Sequence, residues 1–391
     1  MTEMVYGTHP VQAGEPVLPK WWRTVDRWTL TSVLLLMGVG LILGLAASPP
    51  LAERNGFEPF HYVKRQFAFT LISAVAMVGL SMTSPTTVRR LGVLGFLATF
   101  LALVLLPVFG TDFGKGAVRW YSLGFGSVQP SEFLKPCYIV ATAWLMAAAT
   151  EIGGPPGRLY SVIVTAVVAG FLVIQPDFGQ ATLLIFVWSA MYFAGGAPIL
   201  VILSVVVALA GGGMLAYNTS EHFARRIDGF LSPEVDPTTQ IGYATNAIRE
   251  GGFFGVGVGE GSVKWSLPDA HTDFIIAVAA EEYGLVAVGL VIFLFLVLVT
   301  RSLARLMRER DPFVRLAGTG IACLVGMQAI INMGVAVRLL PAKGMTLPFV
   351  SNGGSSVVAM GIAVGMLLAL TRTRPQGDIA DALFQRRATH D

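Results

Sequence analysis

Ten stretches of the chain run almost without interruption through apolar residues, and each is bounded by polar or turn-forming ones. They lie near 29–48, 67–83, 91–109, 132–150, 160–174, 180–195, 198–217, 274–300, 315–340 and 356–371. Half of them have the roughly 17 to 25 residues that cross a hydrocarbon layer about 30 Å thick, and the rest lie within two residues of those limits. The pattern predicts an all-α polytopic membrane protein with about ten transmembrane helices. Between the fifth and sixth runs stands Gln175-Pro176-Asp177-Phe178-Gly179-Gln180, where proline and glycine together favour a tight turn. Residues 1–28 form a polar N-terminal tail in which Trp21, Trp22 and Trp28 accompany Lys20, Arg23 and Arg27, as an interfacial anchor requires. A cleaved signal peptide is not expected, because the first apolar run begins far from Met1 and nine more follow. Residues 29–371 make up the membrane domain and 372–391 a polar C-terminal tail.

An even number of spans puts both termini on one side. Arg89 and Arg90, Arg158, the set Arg301, Arg305, Arg308, Arg310 and Arg315, and Arg372, Arg374, Arg386 and Arg387 fall on that same side. The positive-inside rule makes it cytoplasmic. The connection between spans seven and eight, residues 218–272, is far longer than the rest and faces outward. Long connections carry function or disorder. This one holds Phe223, Phe230, Ile241, Tyr243, Phe253, Phe254 and Trp265, too apolar a set for a disordered linker, so short interfacial helices are expected.

Composition narrows the function classes. Of the 391 residues 54% are hydrophobic and 13% charged, against about 25% charged in a soluble domain, which excludes a soluble globule. A net charge of +3, dispersed along the chain, leaves no nucleic-acid footprint. Cys137 and Cys323 lie inside apolar runs with no metal-ligand or redox spacing. The string Gly255-Val256-Gly257-Val258-Gly259-Glu260-Gly261 fails the dinucleotide spacing and follows no strand. Soluble-enzyme motifs are absent.

A charge inside the membrane costs about 2.5 to 3.5 kcal/mol on insertion scales, so ionisable residues at span ends are the first functional candidates. Arg119, Glu132, Lys135, Asp177, Asp273, Arg338 and Lys343 lie at outer span ends, with Glu281 and Glu282 deeper in span eight. Asp273 immediately precedes the eighth apolar run, at the membrane boundary; as a bare sequence feature it reads equally as a helix-capping acid. At 100° per residue Glu281 lies about 80° round from it and Glu282 about 180°, so the three form no single stripe. Glu281 and Glu282 are expected to bridge to neighbouring helices. Ser131 is expected to cap span four, with Glu132 in the first turn and Lys135 paired to it at i, i+3. The alternative for that lysine is a cation offered to a pyrophosphate. Arg225, Arg226, Arg249 and Lys264 make an outward cationic set or a group of solvated loop charges.

The string Gly344-Met345-Thr346-Leu347-Pro348-Phe349-Val350-Ser351-Asn352-Gly353-Gly354-Ser355-Ser356 closely resembles the signature of the SEDS family (shape, elongation, division, sporulation). Arg119-Trp120 with Gln129-Pro130-Ser131-Glu132, then Gln175 to Gly179, then His271-Thr272-Asp273-Phe274-Ile275 with Glu281-Glu282-Tyr283-Gly284 resemble that family in the same order. Lys343 before Gly344 looks more like its division branch than its elongation branch. Asn352 stands where the family usually has tyrosine, and Arg249-Glu250 replaces smaller polar residues before Gly251-Gly252, two departures from the family's pattern.

The resemblance implies a ten-span glycosyltransferase that polymerises lipid II into peptidoglycan on the outer face of the cytoplasmic membrane at the division septum. It further implies a partner, a class B penicillin-binding protein transpeptidase, among other division-complex membrane proteins. Asp273 would be the catalytic general base in an inverting attack. The pyrophosphate needs positive charge, for which Arg119, Lys343, Arg225 and Arg226 are the candidates; a divalent cation (Mg or Mn) is the other source, and no organic cofactor is implied. Glu132, Lys135, Asp177, His271 and Ser355 complete the expected substrate-binding set. Gly320, Gly326 and Gly334 are small enough to admit a partner helix or to serve internal packing. A lipid II transporter and a non-catalytic scaffold for the transpeptidase are the competing readings.

Overall fold

The computed structural model describes residues 16–112, 118–122, 124, 126–232, 237, 239–267, 269–341 and 344–373. The outer parts of both predicted tails, and Lys343, lie outside them.

Each of the ten predicted apolar runs coincides with one helix. A short amphipathic helix α1 (Val17–Thr24) leads into α2 (Arg27–Ala47), and α3 (Pro49–Arg54) precedes α4 (His61–Ser81) and α5 (Pro85–Phe109). A two-stranded antiparallel hairpin, β1 (Tyr121–Ser122) and β2 (Ser127–Val128), separates these from α6 (Pro130–Ala148), α7 (Gly157–Ile174), α8 (Phe178–Ala194) and α9 (Ile199–Thr219). The long connection folds as α10 (Glu221–Leu231), α11 (Gln240–Gly251) and one turn of 3-10 helix at Val263–Trp265, the short helices its apolar content demands. The chain closes with α12 (Ile275–Leu306), α13 (Pro312–Ala336) and α14 (Gly354–Leu370). Among the described residues, seven helices (α2, α4, α5, α7, α9, α12 and α13) are long and apolar enough to cross a membrane, while α8 and α14 are shorter apolar helices. The remaining run, α6, carries Glu132 and Lys135 in its first two turns.

Helix starts follow local chemistry. The Ser84 side chain accepts from Thr87 N at 3.2 Å with Pro85 at the first helical position, and Asp311 Oδ1 accepts from Phe313 N at 2.9 Å ahead of α13. Ser131 does not cap α6 as expected. The cap is Gln129, because Pro130, with its φ preset and no N–H to satisfy, takes the first helical position and draws Ser131 and Glu132 into the first turn.

Lipid offers no hydrophobic drive between helices, so close approach must come from small residues. A Cβ on Gly361 of α14 would stand 2.2 Å from Ser73 Oγ of α4, and one on Gly365 2.7 Å from Met77 O. Gly92 of α5 meets Val140 of α6 in the same way, at 2.3 Å. Gly320, Gly326 and Gly334 are also spent inside the protein, against Met191 and Ile139, Val299, and Leu340. The expectation that they await a partner helix gives way to internal packing. In contrast, α9 has no buried residue, and α8 and α10 are its main packing partners.

The two ends of the described chain meet. Asp26, 1% exposed, lies 3.2 Å from Arg305 and 3.5 Å from Arg301, and Arg305 donates to Thr371 O at 3.0 Å. Arg372 donates to Thr24 Oγ1 at 3.0 Å, and the buried Trp21 Nε1 to Ser81 Oγ at 2.8 Å. Exposed Leu18, Trp22 and Trp28 leave α1 and the start of α2 with an apolar surface suited to a membrane interface.

Candidate active site

Asp273 closes a turn whose backbone folds onto Asp269: the N–H groups of Thr272 and Asp273 donate to Asp269 O at 3.0 and 3.1 Å, and Asp269 takes a left-handed φ of +55°. Phe274, not Asp273, occupies the cap position of α12. The glycine-serine segment 344–356 is hung across this turn. Asn352 N donates to His271 O at 2.9 Å and Ser351 Oγ to Thr272 O at 2.5 Å. Asn332 Nδ2 of α13 bridges Asp273 O at 2.9 Å and Met345 O at 2.6 Å. These bonds fix the backbone on both sides of the carboxylate, which borders an open space.

That space is a cavity of about 350 Å³ lined by Asp273, Asp269, His271, Glu132, Tyr62, Arg65, Trp120 and the start of α14 from Gly353 to Ser356. A Cβ on Gly344 would stand 3.3 Å from Asp273 Oδ2, so glycine there keeps room beside the carboxylate. Glu132, 4% exposed, forms the wall: its Oε1 accepts from Gln180 Nε2 at 2.6 Å and its Oε2 from Lys135 Nζ at 2.8 Å. Lys135 is fully buried and donates again to Gln328 Oε1 at 2.9 Å, and Gln328 Nε2 donates to Thr346 O at 3.0 Å. A relay of charge-assisted bonds thus runs from α8 through α6 and α13 to the signature segment. Lys135 faces this relay and does not line the cavity, which favours its structural reading over that of a pyrophosphate cation.

A second cavity, of about 560 Å³, shares Gly344 with the first and runs between α8, α9 and α10. Its walls are mainly apolar, with Arg119 and Asp177 at one end. Arg119 donates to Gln175 O at 3.1 Å and Pro176 O at 2.8 Å, so it pins the tight turn between α7 and α8. Asp177 faces this cavity but is otherwise ringed by protein. Burial pushes its carboxyl above the ordinary range, against the lowering effects of the Arg119 charge and the Gln180 N–H.

The remaining candidates divide. His271 and Ser355 line the first cavity. Arg225 lies on α10 in an exposed pair with Glu221 at 3.7 Å and lines neither cavity. Arg226 belongs to the same helix, its side chain outside the described set. Glu281 and Glu282 do not bridge to helices as expected. Glu281 Oε1 accepts from Val263 N at 2.7 Å and Glu282 pairs with Lys264, which clamps the long connection onto α12. Lys264 is thereby buried rather than part of an outward cationic set. In the same clamp Gly255, at φ +81°, lets Val256 N reach Glu281 O; a Cβ there would lie 2.2 Å from Glu282 O. Among the described residues no group of three or more His, Cys, Asp and Glu side chains is placed to hold a metal ion.

Sequence reasoning missed Arg65, Tyr62 and Asp269. Placing the second span at 67 left Arg65 and Tyr62 outside it, whereas α4 begins at His61 and carries both on its first turns. Asp269 was legible as a second acid four residues before Asp273 in one short segment.

A bundle of apolar helices with a carboxylate-lined cavity at the ends of α4, α6, α12 and α14 defines a polytopic membrane protein of the SEDS type. The family model FtsW/RodA/SpoVE, described as cell cycle protein, matches residues 27–376, and the chain belongs to that family. It is 43% identical over 357 residues, covering 91% of both chains, to the probable peptidoglycan glycosyltransferase FtsW of Caulobacter vibrioides. It is 38% identical to that of Trichlorobacter lovleyi, over 88% of this chain and 93% of the relative. Among solved structures it resembles a chain of a peptidoglycan synthase complex that coordinates polymerization and crosslinking, with a TM-score of 0.73 and 28% identity over 89% and 97% of the two chains. It also resembles the rod shape determining protein RodA of Thermus thermophilus, with a TM-score of 0.64 and 25% identity over 90% and 97%.

Proposed function

We propose that this protein is a peptidoglycan glycosyltransferase of the division branch, which polymerises lipid II on the outer face of the cytoplasmic membrane. The observation that carries this reading is Asp273 at the start of α12, its backbone fixed by Asn332 and Ser351 and its carboxylate lining a polar cavity. Both termini are cytoplasmic in this reading, since Arg301, Arg305 and Arg372 gather on the side opposite Asp273. The protein acts at the septum beside a class B penicillin-binding protein transpeptidase.

In the reaction the acceptor 4-hydroxyl attacks the anomeric carbon of the donor. The hydroxyl proton passes to the Asp273 carboxylate, the new C–O bond forms, and the bond from the anomeric carbon to the pyrophosphate oxygen breaks with its electron pair on the leaving group. Attack opposite that group inverts the centre. A positioned base contributes typically about 10² to 10⁴-fold. A divalent cation, if bound, would add charge at the pyrophosphate. Fixed dipoles and side-chain cations facing the cavity can stabilise the leaving group without reorganising.

The test is polymerisation of labelled lipid II by the purified protein, with and without its transpeptidase, for wild type and Asp273→Asn. Glycan chains from wild type, reduced at least a hundredfold in the folded variant, support the reading. Equal chain synthesis by the variant removes Asp273 as the base. Absence of chains under every partner condition, with lipid II translocation intact in vesicles, replaces the enzyme with a transporter.

A further inference from the structure

On the side that the proposed orientation makes cytoplasmic, the ends of α5, α6 and α13 frame a hollow of about 230 Å³ that the reaction above does not use. Thr86 and Arg89 of α5, Trp144 of α6, Glu151 just beyond it, and Asp311 and Phe313 at the start of α13 line it. Arg89 rests on the Trp144 ring, with Cζ 5.9 Å from the centroid. Among the described residues neither Arg89 nor Glu151 forms an ion pair. Asp311 gives its Oδ1 to the N–H groups of Phe313 and Val314 at 2.9 and 3.3 Å, which leaves Oδ2 for another donor. One cation and two carboxylates therefore share a small space without neutralising one another.

The hollow is closed toward the protein and open toward lipid. Beneath it the seam between α5 and α6 is sealed: a Cβ on Gly92 would stand 2.3 Å from Val140, and one on Gly95 2.7 Å from Cys137 Sγ. On the outer surface Trp144 is exposed, and deeper along α5 so are Leu91, Leu94 and Leu97. A ligand seated here has its polar part among the charges and its apolar part on that leucine surface. The charges specify the polar part. A guanidinium binds a phosphate through parallel N–H bonds, and carboxylates accept from an ammonium. A lone anion would meet Glu151 and Asp311, and a lone cation would meet Arg89; a zwitterion satisfies all three. The volume equals about eight waters at roughly 30 Å³ each, room for a phosphoethanolamine group.

We propose that this hollow binds the headgroup of phosphatidylethanolamine from the cytoplasmic leaflet. Arg89 and the Thr86 hydroxyl hold the phosphate, Glu151 and Asp311 hold the primary ammonium, and the acyl chains lie along Trp144 and Leu94. Specificity follows from the amine. A primary ammonium offers three N–H donors to the two carboxylates; the trimethylated headgroup of phosphatidylcholine offers none, and phosphatidylglycerol has no amine. The site is independent of the glycosyltransferase reading, since it lies at the far end of α6 from Glu132 and the Asp273 cavity. A headgroup gripped by residues of three elements ties the ends of α5, α6 and α13 together, so its occupancy stabilises the folded protein by mass action.

The experiment uses native mass spectrometry to count the lipids retained by the full-length protein when it is released from nanodiscs of equal parts phosphatidylethanolamine, phosphatidylcholine and phosphatidylglycerol. Wild type should keep phosphatidylethanolamine roughly tenfold over either competitor, with its N-methyl and N,N-dimethyl forms in between, because each charge-assisted bond lost weakens binding by about that factor. Glu151→Gln should cut the preference over phosphatidylcholine roughly three- to tenfold and leave phosphatidylcholine itself unchanged. Arg89→Ala should lower retention of both lipids, with Arg89→Lys intermediate. Arg90→Ala, an exposed neighbour outside the hollow, should match wild type. Thermal unfolding verifies that each variant is folded. Equal retention of phosphatidylethanolamine and phosphatidylcholine by wild type, an equal loss in Arg90→Ala, or an unchanged preference in folded Arg89→Ala and Glu151→Gln overturns the proposal. Full displacement of the lipid by equimolar soluble phosphoethanolamine overturns it too, in favour of a free metabolite.

Discussion

Replacing Lys135 with methionine tests how the site is held. The side chain keeps its length but loses its charge and both hydrogen bonds, to Glu132 Oε2 at 2.8 Å and Gln328 Oε1 at 2.9 Å, in surroundings with no solvent exposure. Glu132 would then be a buried carboxylate with Gln180 as its remaining partner, and Gln328 Oε1 would lose its donor. Removing one partner of a buried pair costs about 3 to 5 kcal/mol, whereas removing both charges is often neutral. Lys135→Met should therefore lower the folded-to-unfolded ratio more than a hundredfold. The double variant Glu132→Gln/Lys135→Met should recover roughly 2 to 4 kcal/mol of that loss, because the amide still accepts from Gln180 and leaves no stranded charge. Denaturant titration in mixed micelles of wild type, both single variants and the double variant measures the coupling. A cost below about 1 kcal/mol for Lys135→Met, or a double variant no more stable than that single one, would refute the view that this pair is a dry, mutually dependent unit.

Two further outcomes follow from the geometry. Gly344→Ala puts a methyl group 3.3 Å from Asp273 Oδ2 and should lower kcat on the order of tenfold to a hundredfold with folding preserved; unchanged turnover would show that the carboxylate does not work from this position. Burial raises the Asp177 carboxyl above its ordinary value of 3.8, so the folded state favours the protonated acid and wild-type stability falls as pH rises from that value through the raised one. Asparagine lacks this dependence, and the stability of Asp177→Asn relative to wild type should climb from about pH 4 upward; thermal unfolding across pH giving a relative stability that falls instead would contradict it.

The helices were readable because run length is a one-dimensional signal, and Arg27–Ala47, Ile199–Thr219 and Gly354–Leu370 each lie within two residues of their predicted spans. Asp273 was readable as a carboxylate at a membrane boundary. What stayed hidden required three dimensions. Glu132 and Lys135 were paired correctly by spacing, but their continuation to Gln180 and Gln328 crosses 48 and 193 positions of sequence. Glu281 was misassigned because its partner, the backbone at Val263 and Lys264, carries no charge pattern to announce itself, and Glu282 because the Lys264 side chain that pairs with it stood among the charges of a long connection. Arg65 was overlooked for a simpler reason: a cation just before an apolar run looks like an ordinary interfacial residue until the hairpin and α14 close around it.

The helix α9, without a buried residue, forms one wall of the larger cavity. Its 21 residues span about 31 Å at roughly 1.5 Å per residue, close to the thickness of an average hydrocarbon layer. A helix gripped by the bilayer more than by its own protein tilts when that thickness changes. The width of the space beside Arg119 is therefore set jointly by the chain and by its lipids. The same polypeptide in thin and thick membranes would present two different chambers without any change in sequence.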